Sequence, residues 1–247
     1  MRAMNVGETV ARSGKATIRV LGGFELAVDL RPVFLPIQAQ RVLGYLAVKP
    51  SATPREALAG TLWPECSEPR ARSNLRTALW RIRQVGPRVV ESSRSWIRMG
   101  ASVLVDSRRA SKLAQDLIEE KEAGPVTRSA LALLEEDLLP GWDEEWLVVE
   151  RERMRQLRIH ALEALSGRLR EQGRYGEAID AALSAVAAEP LRESAQIALI
   201  EAYLAEGNVS EAARQKDSYR VLLDVELGLE PSTRITALGV GDARRRA

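Results

Sequence analysis

Residues Arg70 to Gly86 read Arg-Ala-Arg-Ser-Asn-Leu-Arg-Thr-Ala-Leu-Trp-Arg-Ile-Arg-Gln-Val-Gly. Leu75, Leu79 and Ile82 recur at i, i+4 and i+7, which predicts one buried face of a helix over Arg70–Val85. Gly86-Pro87 stops it. The opposite face carries Arg70, Ser73, Thr77, Arg81 and Gln84. Arg76 and Trp80 flank that face on one side and Asn74 on the other, and Arg72 belongs to the same cationic run. An α-helix fits the major groove of B-DNA, about 12 Å wide. Arg bonds guanine bidentately, Asn and Gln bond adenine, and Thr touches the thymine methyl. Every side-chain type that direct base readout needs is therefore on the outward face. A solvated helix surface is also often Arg-rich, so the surroundings decide.

Two further helices precede this one. Ala39, Val42, Leu43 and Leu46 form one apolar face within Gln38–Val48. Thr53, Pro54 and Glu56 read as N-cap, N1 and N3 of a second helix. Its apolar face is Ala57, Leu58 and Leu62, with Trp63 closing it. A polar connection, PECSEPRA, then leads into the third helix and holds Cys66. Upstream, Ile18 and Val20, then Phe24, Leu26 and Val28, alternate as short strands. Asp29 to Pro32 reads as a turn and Val33 to Leu35 as a third strand. Downstream, Val89-Val90, a polar turn Ser92–Ser95 and Trp96–Met99 read as a hairpin, and Val103–Val105 as one more strand. Three helices followed by a hairpin make a winged helix, with Arg70–Val85 as recognition helix and Ser92–Ser95 as wing tip.

The remaining candidate contacts follow from that layout. Ser93 and Arg94 sit at the wing tip, where Arg94 reaches phosphate or the minor groove. Thr53 and Arg55 open the second helix, where an N-terminus and a cation hold phosphate. Thr53 is equally explained as a cap. Trp63 and Trp96 lie in apolar patterns and pack the small core. Trp80 either stacks on the DNA backbone or packs against a neighbour.

Charge supports the same division. Net charge is +2 over 247 residues, yet residues 1–110 carry a balance of +10 and residues 111–247 a balance of −8. A basic half attracts polyanions, and an acidic half is more suited to protein. With one cysteine and one histidine, Cys66 and His160, zinc sites built from Cys and His are excluded, as is an internal disulfide. Adjacent carboxylates such as Glu135-Glu136 and Glu144-Glu145 do not face each other on a helix. No cofactor and no enzymatic activity are expected. No run of eighteen apolar residues is present, so no membrane-spanning helix is expected.

The acidic half reads as all-helical. Ser111–Glu122 and Thr127–Leu138 are two helices, Pro140-Gly141-Trp142 breaks the chain, and a long helix runs over Glu144–Gln172. A repeat with a period of 34 residues follows: Leu165 with Leu199, Leu169 with Tyr203, Gly173 with Gly207, Glu177 with Glu211, and Ala178 with Ala212. That period, with Gly at the turn and Ala at the close crossing, is the tetratricopeptide (TPR) pattern. The expected organisation is a disordered leader over 1–14, an α+β winged-helix domain over 15–109, an all-α TPR-like domain over 110–238, and a frayed basic tail over 239–247.

Three stretches carry a family resemblance: Gln40–Ala47, Leu62-Trp63-Pro64 and Arg70–Arg76. They resemble the SARP family of bacterial transcriptional activators, whose N-terminal domain is an OmpR-like winged helix. Leu139-Pro140-Gly141-Trp142, Glu189-Pro190-Leu191-Arg192-Glu193 and Glu226-Leu227-Gly228-Leu229-Glu230-Pro231 resemble that family's bacterial transcriptional activator domain. The resemblance covers roughly residues 16–238. It implies a cytoplasmic, nucleoid-associated protein that binds repeats in promoter double-stranded DNA and recruits RNA polymerase, often through its sigma factor. A homodimer on direct repeats is one arrangement it implies. It also places Arg76, Thr77, Trp80, Arg81 and Arg83 facing DNA, whereas the helical wheel puts Arg83 near the buried edge. The first turn, Asp29-Leu30-Arg31, lacks the glycine often found there. The alternative function is a TPR-like adaptor whose basic half binds nucleic acid non-specifically.

Overall fold

The computed structural model describes residues 15–86, 89–119 and 131–239. The expected leader over 1–14, Pro87 of the expected stop after the third helix, the end of the helix expected over Ser111–Glu122, the start of that expected over Thr127–Leu138, and the tail beyond Gly239 lie outside them. The described chain divides into two compact units. One reaches to Ser107 and includes Leu139–Trp142; the other comprises Arg108–Leu138 and the chain from Asp143 onward.

The first unit opens with β1 (Ala16–Arg19), β2 (Glu25–Val28) and β3 (Arg31–Pro32). β1 and β2 pair antiparallel, with Ile18 opposite Leu26, and both of these side chains are buried. Asp29 and Leu30 turn the chain between β2 and β3 with φ of +50° and +64°. Two consecutive positive φ values define the type I′ hairpin turn, normally given to Asn or Gly. The turn keeps its geometry without glycine. It fixes β3 at Arg31–Pro32, two residues earlier than the strand expected over Val33–Leu35.

Helices α1 (Ile37–Val48), α2 (Arg55–Leu62) and α3 (Glu68–Val85) follow. α1 buries Ala39, Val42, Leu43 and Leu46 on the expected face. Two expectations for α2 are corrected. Thr53 is not its N-cap: Thr53 and Pro54 form a two-residue strand, β4, and Thr53 pairs with Ile97 and is buried. The apolar face uses Ala59 where Ala57 was expected, and Ala57 is exposed. α3 begins two residues earlier than expected, at Glu68, with Pro69 in its first turn, where a missing N–H costs nothing. Leu75, Leu79 and Ile82 are buried, joined by Ala71 and Ala78.

The wing is the hairpin β5 (Val90–Ser92) and β6 (Trp96–Met99), and β4 joins it as a third strand against β6. β7 (Leu104–Val105) then lies parallel to β1, giving a four-stranded sheet of order β3-β2-β1-β7. A parallel neighbour requires a long crossover, and here α1, α2, α3 and the wing supply it.

The second unit holds most of α4 (Asp106–Ile118), which starts five residues before the helix expected at Ser111, at the junction of the units. Of the next expected helix, residues 131–132 are helical, 133–135 form a turn and 136 a bend. Then come α5 (Glu145–Glu171), α6 (Tyr175–Ala188), α7 (Glu193–Glu206), α8 (Val209–Leu227) and the short α9 (Thr233–Ala237). The 34-residue repeat is visible as two helix pairs, α5/α6 and α7/α8. Gly173 and Gly207 turn between the members of each pair at φ +72° and +88°, a conformation that costs an L residue about 1–2 kcal/mol. Ala178 and Ala212 are both fully buried at the crossings. Among the described residues no helix is long and apolar enough to cross a membrane.

The two motifs of this half tie its helices together. Glu189 pairs with Arg155 of α5, and Arg192 donates to Glu163 Oε1 (2.9 Å) and Gln156 Oε1 (2.8 Å), also on α5. The Glu193 carboxylate accepts from the Ser232 backbone N–H (3.0 Å) and hydroxyl, and Ser232 caps α9. Gly228, at φ +65°, ends α8.

At the end of β1, Asp106 accepts hydrogen bonds from the backbone N–H groups of Val20 (2.9 Å), Leu21 (3.0 Å) and Ser107 (2.7 Å). Burial raises its carboxyl above the ordinary aspartate range, against the pull of those three donors and of Arg19. Asp106→Asn replaces one acceptor oxygen by an N–H₂ group facing backbone donors. It is expected to cost about 1–3 kcal/mol, the penalty of an unmet buried donor, measured by chemical denaturation.

Candidate nucleic-acid interface

The outward face of α3 is set by its buried one. With Leu75, Leu79 and Ile82 fixed inward, Arg70, Ser73, Arg76, Thr77, Trp80, Arg81, Arg83 and Gln84 are all exposed. Trp80 points outward at 54% exposure, and the Arg81 guanidinium lies 4.8 Å from its ring centroid. The Thr77 hydroxyl donates to the Ser73 carbonyl one turn earlier (3.2 Å). Arg83 is not near a buried edge, as the helical wheel placed it. It is exposed and donates to Ser92 Oγ of the wing (2.9 Å).

The wing brings a second group of cations to α3. Pairing of β4 with β6 carries the start of α2 to the wing turn, where the Arg55 N–H donates to Ser95 O (3.0 Å). The Arg55 guanidinium reaches Ser93 O (3.4 Å). Its pKa is lowered first by burial and then by the positive charges of Arg83 and Arg76. Among the described residues no carboxylate pairs with Arg55, Arg76 or Arg83. Three like charges held together without a counter-charge raise the local potential and favour an anion. Beside them runs a groove of about 520 Å³ lined by Arg55, Arg72, Arg76 and Arg94, with Glu56 and Ser95. A second groove of about 310 Å³ lies along the other flank of α3, lined by Gln38 of α1 with Asn74, Thr77 and Arg81.

Some candidates have other work. Thr53 is buried in β4, so its side chain offers nothing to a surface ligand. Arg72 pairs with Glu56 (2.9 Å) and with Glu68, which makes it the neutralised arginine of the groove. Ser93 is a turn residue: its Oγ accepts from the N–H groups of Ser95 (3.2 Å) and Trp96 (3.1 Å). Arg94, between them, is exposed. Asn74 donates to Cys66 Sγ (3.9 Å) and is half-buried. Trp63 is buried and donates from its indole to Gln38 Oε1 (2.9 Å), whereas Trp96 is half-buried under the Arg98 guanidinium. The convergence of Arg55 with Arg76 and Arg83 has no sequence periodicity. Only the two-residue β4 creates it.

These features define a winged helix with a cationic outward helix face, followed by a TPR-like helical unit: the architecture of a class of transcriptional regulators. The family described as the bacterial transcriptional activator domain matches residues 104–240, and the chain belongs to that family, in the SARP group of regulators. It is 32% identical over 191 residues to the regulatory protein AfsR of Streptomyces coelicolor, a match covering 72% of this chain and 19% of AfsR. Among solved structures, Mycobacterium tuberculosis EmbR in complex with a low-affinity phosphopeptide superposes with a TM-score of 0.68. That match covers 91% of this chain and 64% of the EmbR chain, at 18% identity, and shows the shared fold. Family members are transcriptional regulators.

Ser93→Ala removes the acceptor of two turn N–H groups. It is expected to cost about 1 kcal/mol of stability and to speed amide exchange at Ser95 and Trp96, both read by NMR.

Proposed function

We propose that the first unit binds double-stranded DNA sequence-specifically and that the second recruits RNA polymerase, so that the protein activates transcription from promoter repeats. The observation that carries this reading is the uncompensated cluster of Arg55, Arg76 and Arg83 beside the outward face of α3. In this reading α3 lies in the major groove. Thr77 and Arg81 read bases, with Ser73, Asn74 and Gln84 at the edges of the reading face and Trp80 packed over the sugar-phosphate backbone. Arg55, Arg76 and Arg83 hold phosphates of one strand, and Arg70 those near the helix start. Arg94 at the wing tip enters the adjacent minor groove or meets its phosphates. Arg72 contributes little, because two carboxylates already neutralise it.

The reading predicts a salt dependence. The logarithm of the binding constant falls with log salt with a slope of about −0.9 per phosphate contacted. A slope near zero in a duplex titration overturns the DNA reading and favours an adaptor role. Arg81→Ala weakens the specific site by about 1–3 kcal/mol and random duplex far less. Arg55→Ala weakens both alike and makes the salt slope shallower by about one contact. Recruitment is tested by pairing gel-shift affinity with in vitro transcription over a surface scan of the second unit. Substitutions that lower transcription at unchanged occupancy are expected. If every loss of transcription tracks a loss of binding, that unit is a scaffold.

A further inference from the structure

The first unit is not complete in the contiguous chain that ends at Ser107. Leu139–Trp142 returns to it after thirty-one residues that belong to the other unit. We propose that this segment is a clasp that holds α1 in place and thereby sets how well the first unit presents α3 to DNA. The proposal rests on the DNA-binding reading above.

The segment is built for a fixed shape. Pro140 and Gly141 occupy the central positions of a tight turn, Gly141 has φ +78°, and the Trp142 N–H donates back to Leu139 O (3.2 Å). Pro followed by a positive-φ Gly is the type II turn. Leu139 itself sits at φ +45° and is fully buried. A leucine held in that region, at a cost of about 1–2 kcal/mol, is tolerated only where its surroundings over-determine it. Its N–H donates to Val20 O at the end of β1 (2.7 Å).

The receiving surface is equally specific. A Cβ placed on Gly44, in the middle of α1, would lie 2.8 and 2.9 Å from two ring atoms of Trp142 and 3.4 Å from a methyl of Leu139. Glycine inside a helix costs about 1 kcal/mol relative to alanine, and here it makes the seat for the indole. The indole also meets Phe24, with ring centroids 5.8 Å apart. The clasp therefore bridges the loop after β1 to α1, and α1 packs directly on α3. Both ends of the clasp continue into the second unit. A change there that draws the segment off Gly44 removes support from α1, and apparent DNA affinity falls with the fraction of protein still competent.

The test uses the full chain and two readouts, hydrogen exchange and duplex titration. Trp142→Ala is expected to speed exchange in β1, β2 and α1 by at least about tenfold with α6, α7 and α8 unchanged, and to weaken duplex binding. Gly44→Ala acts on the same contact from the opposite side and is expected to do likewise. In the Trp142→Ala background, Gly44→Ala is expected to restore protection, because the methyl enters vacated space and the helix gains an alanine. That reversal of sign stands even if one single variant folds poorly. Unchanged exchange in the first unit, additive effects of the two substitutions, or faster exchange with unaltered binding each overturn the proposal. A wild-type chain that binds no duplex refutes the DNA reading instead, and the exchange pattern then still decides whether the clasp exists.

Discussion

The backbone of Val20 and Leu21 is the point on which the first unit is hung. The Asp106 carboxylate takes both N–H groups, and the Val20 carbonyl takes the N–H of Leu139. The chain leaves the unit just after the first of these bonds and re-enters it at the second. β7 lies parallel to β1, and Asp106 follows it at once as the first residue of α4. A partly buried carboxylate facing three backbone donors is costly to desolvate and more costly to remove. Burial accordingly raises its pKa even though every neighbour named here favours the charged form.

Arginine does two different jobs in this chain, and composition cannot separate them. In the second unit many arginines are paired: Arg155 with Glu189, Arg192 with Glu163, Arg170 with Glu201, Arg158 with Asp137. Arg192 and Glu163 are both largely buried, and such a pair is retained more for geometry than for net stability. In the first unit Arg55, Arg76 and Arg83 crowd each other instead. The depressed pKa of Arg55 reflects its burial first and that crowding second. Arg72, one turn from Arg76 on the same helix, belongs to the paired kind. A positive balance in one half is therefore a weak guide until partners are assigned residue by residue.

Much of this was legible in the sequence where one element carries its own period. The α3 face, the wing hairpin and the 34-residue repeat through Gly173 and Gly207 all follow from local spacing. The losses came where two residues suffice for an element. β4 is Thr53–Pro54, and it turns an apparent helix cap into a buried strand residue and moves Arg55 to the wing. β3 is Arg31–Pro32, set by a type I′ turn that Asp29 and Leu30 adopt against their intrinsic preference. The clasp was visible as a break in the helical pattern, but a break does not say where the segment docks. Its docking partner is a glycine, which leaves no apolar signal of its own.

The motifs that carry the family resemblance in the second unit are engaged inside its fold. Glu189 and Arg192 grip α5, Glu193 holds the cap of α9, and the Leu191 carbonyl accepts from the buried Tyr219 hydroxyl (3.3 Å). Pro190 offers its carbonyl to Gln196, which is itself buried and bonded to Gln215. Each polar group of the loop thus meets an internal demand, and a substitution there acts first on helix packing. Such motifs mark the fold and say little about what the unit touches. In the first unit the corresponding stretch of α3 is mixed: Ala71 and Leu75 are buried and Arg72 is paired, whereas Arg70, Ser73 and Arg76 are left exposed. If the clasp moves, the effect passes to α3 through the packing of α1 on it. Altered transcription without altered occupancy and altered occupancy itself therefore separate a partner-binding surface from the mechanical link at Gly44.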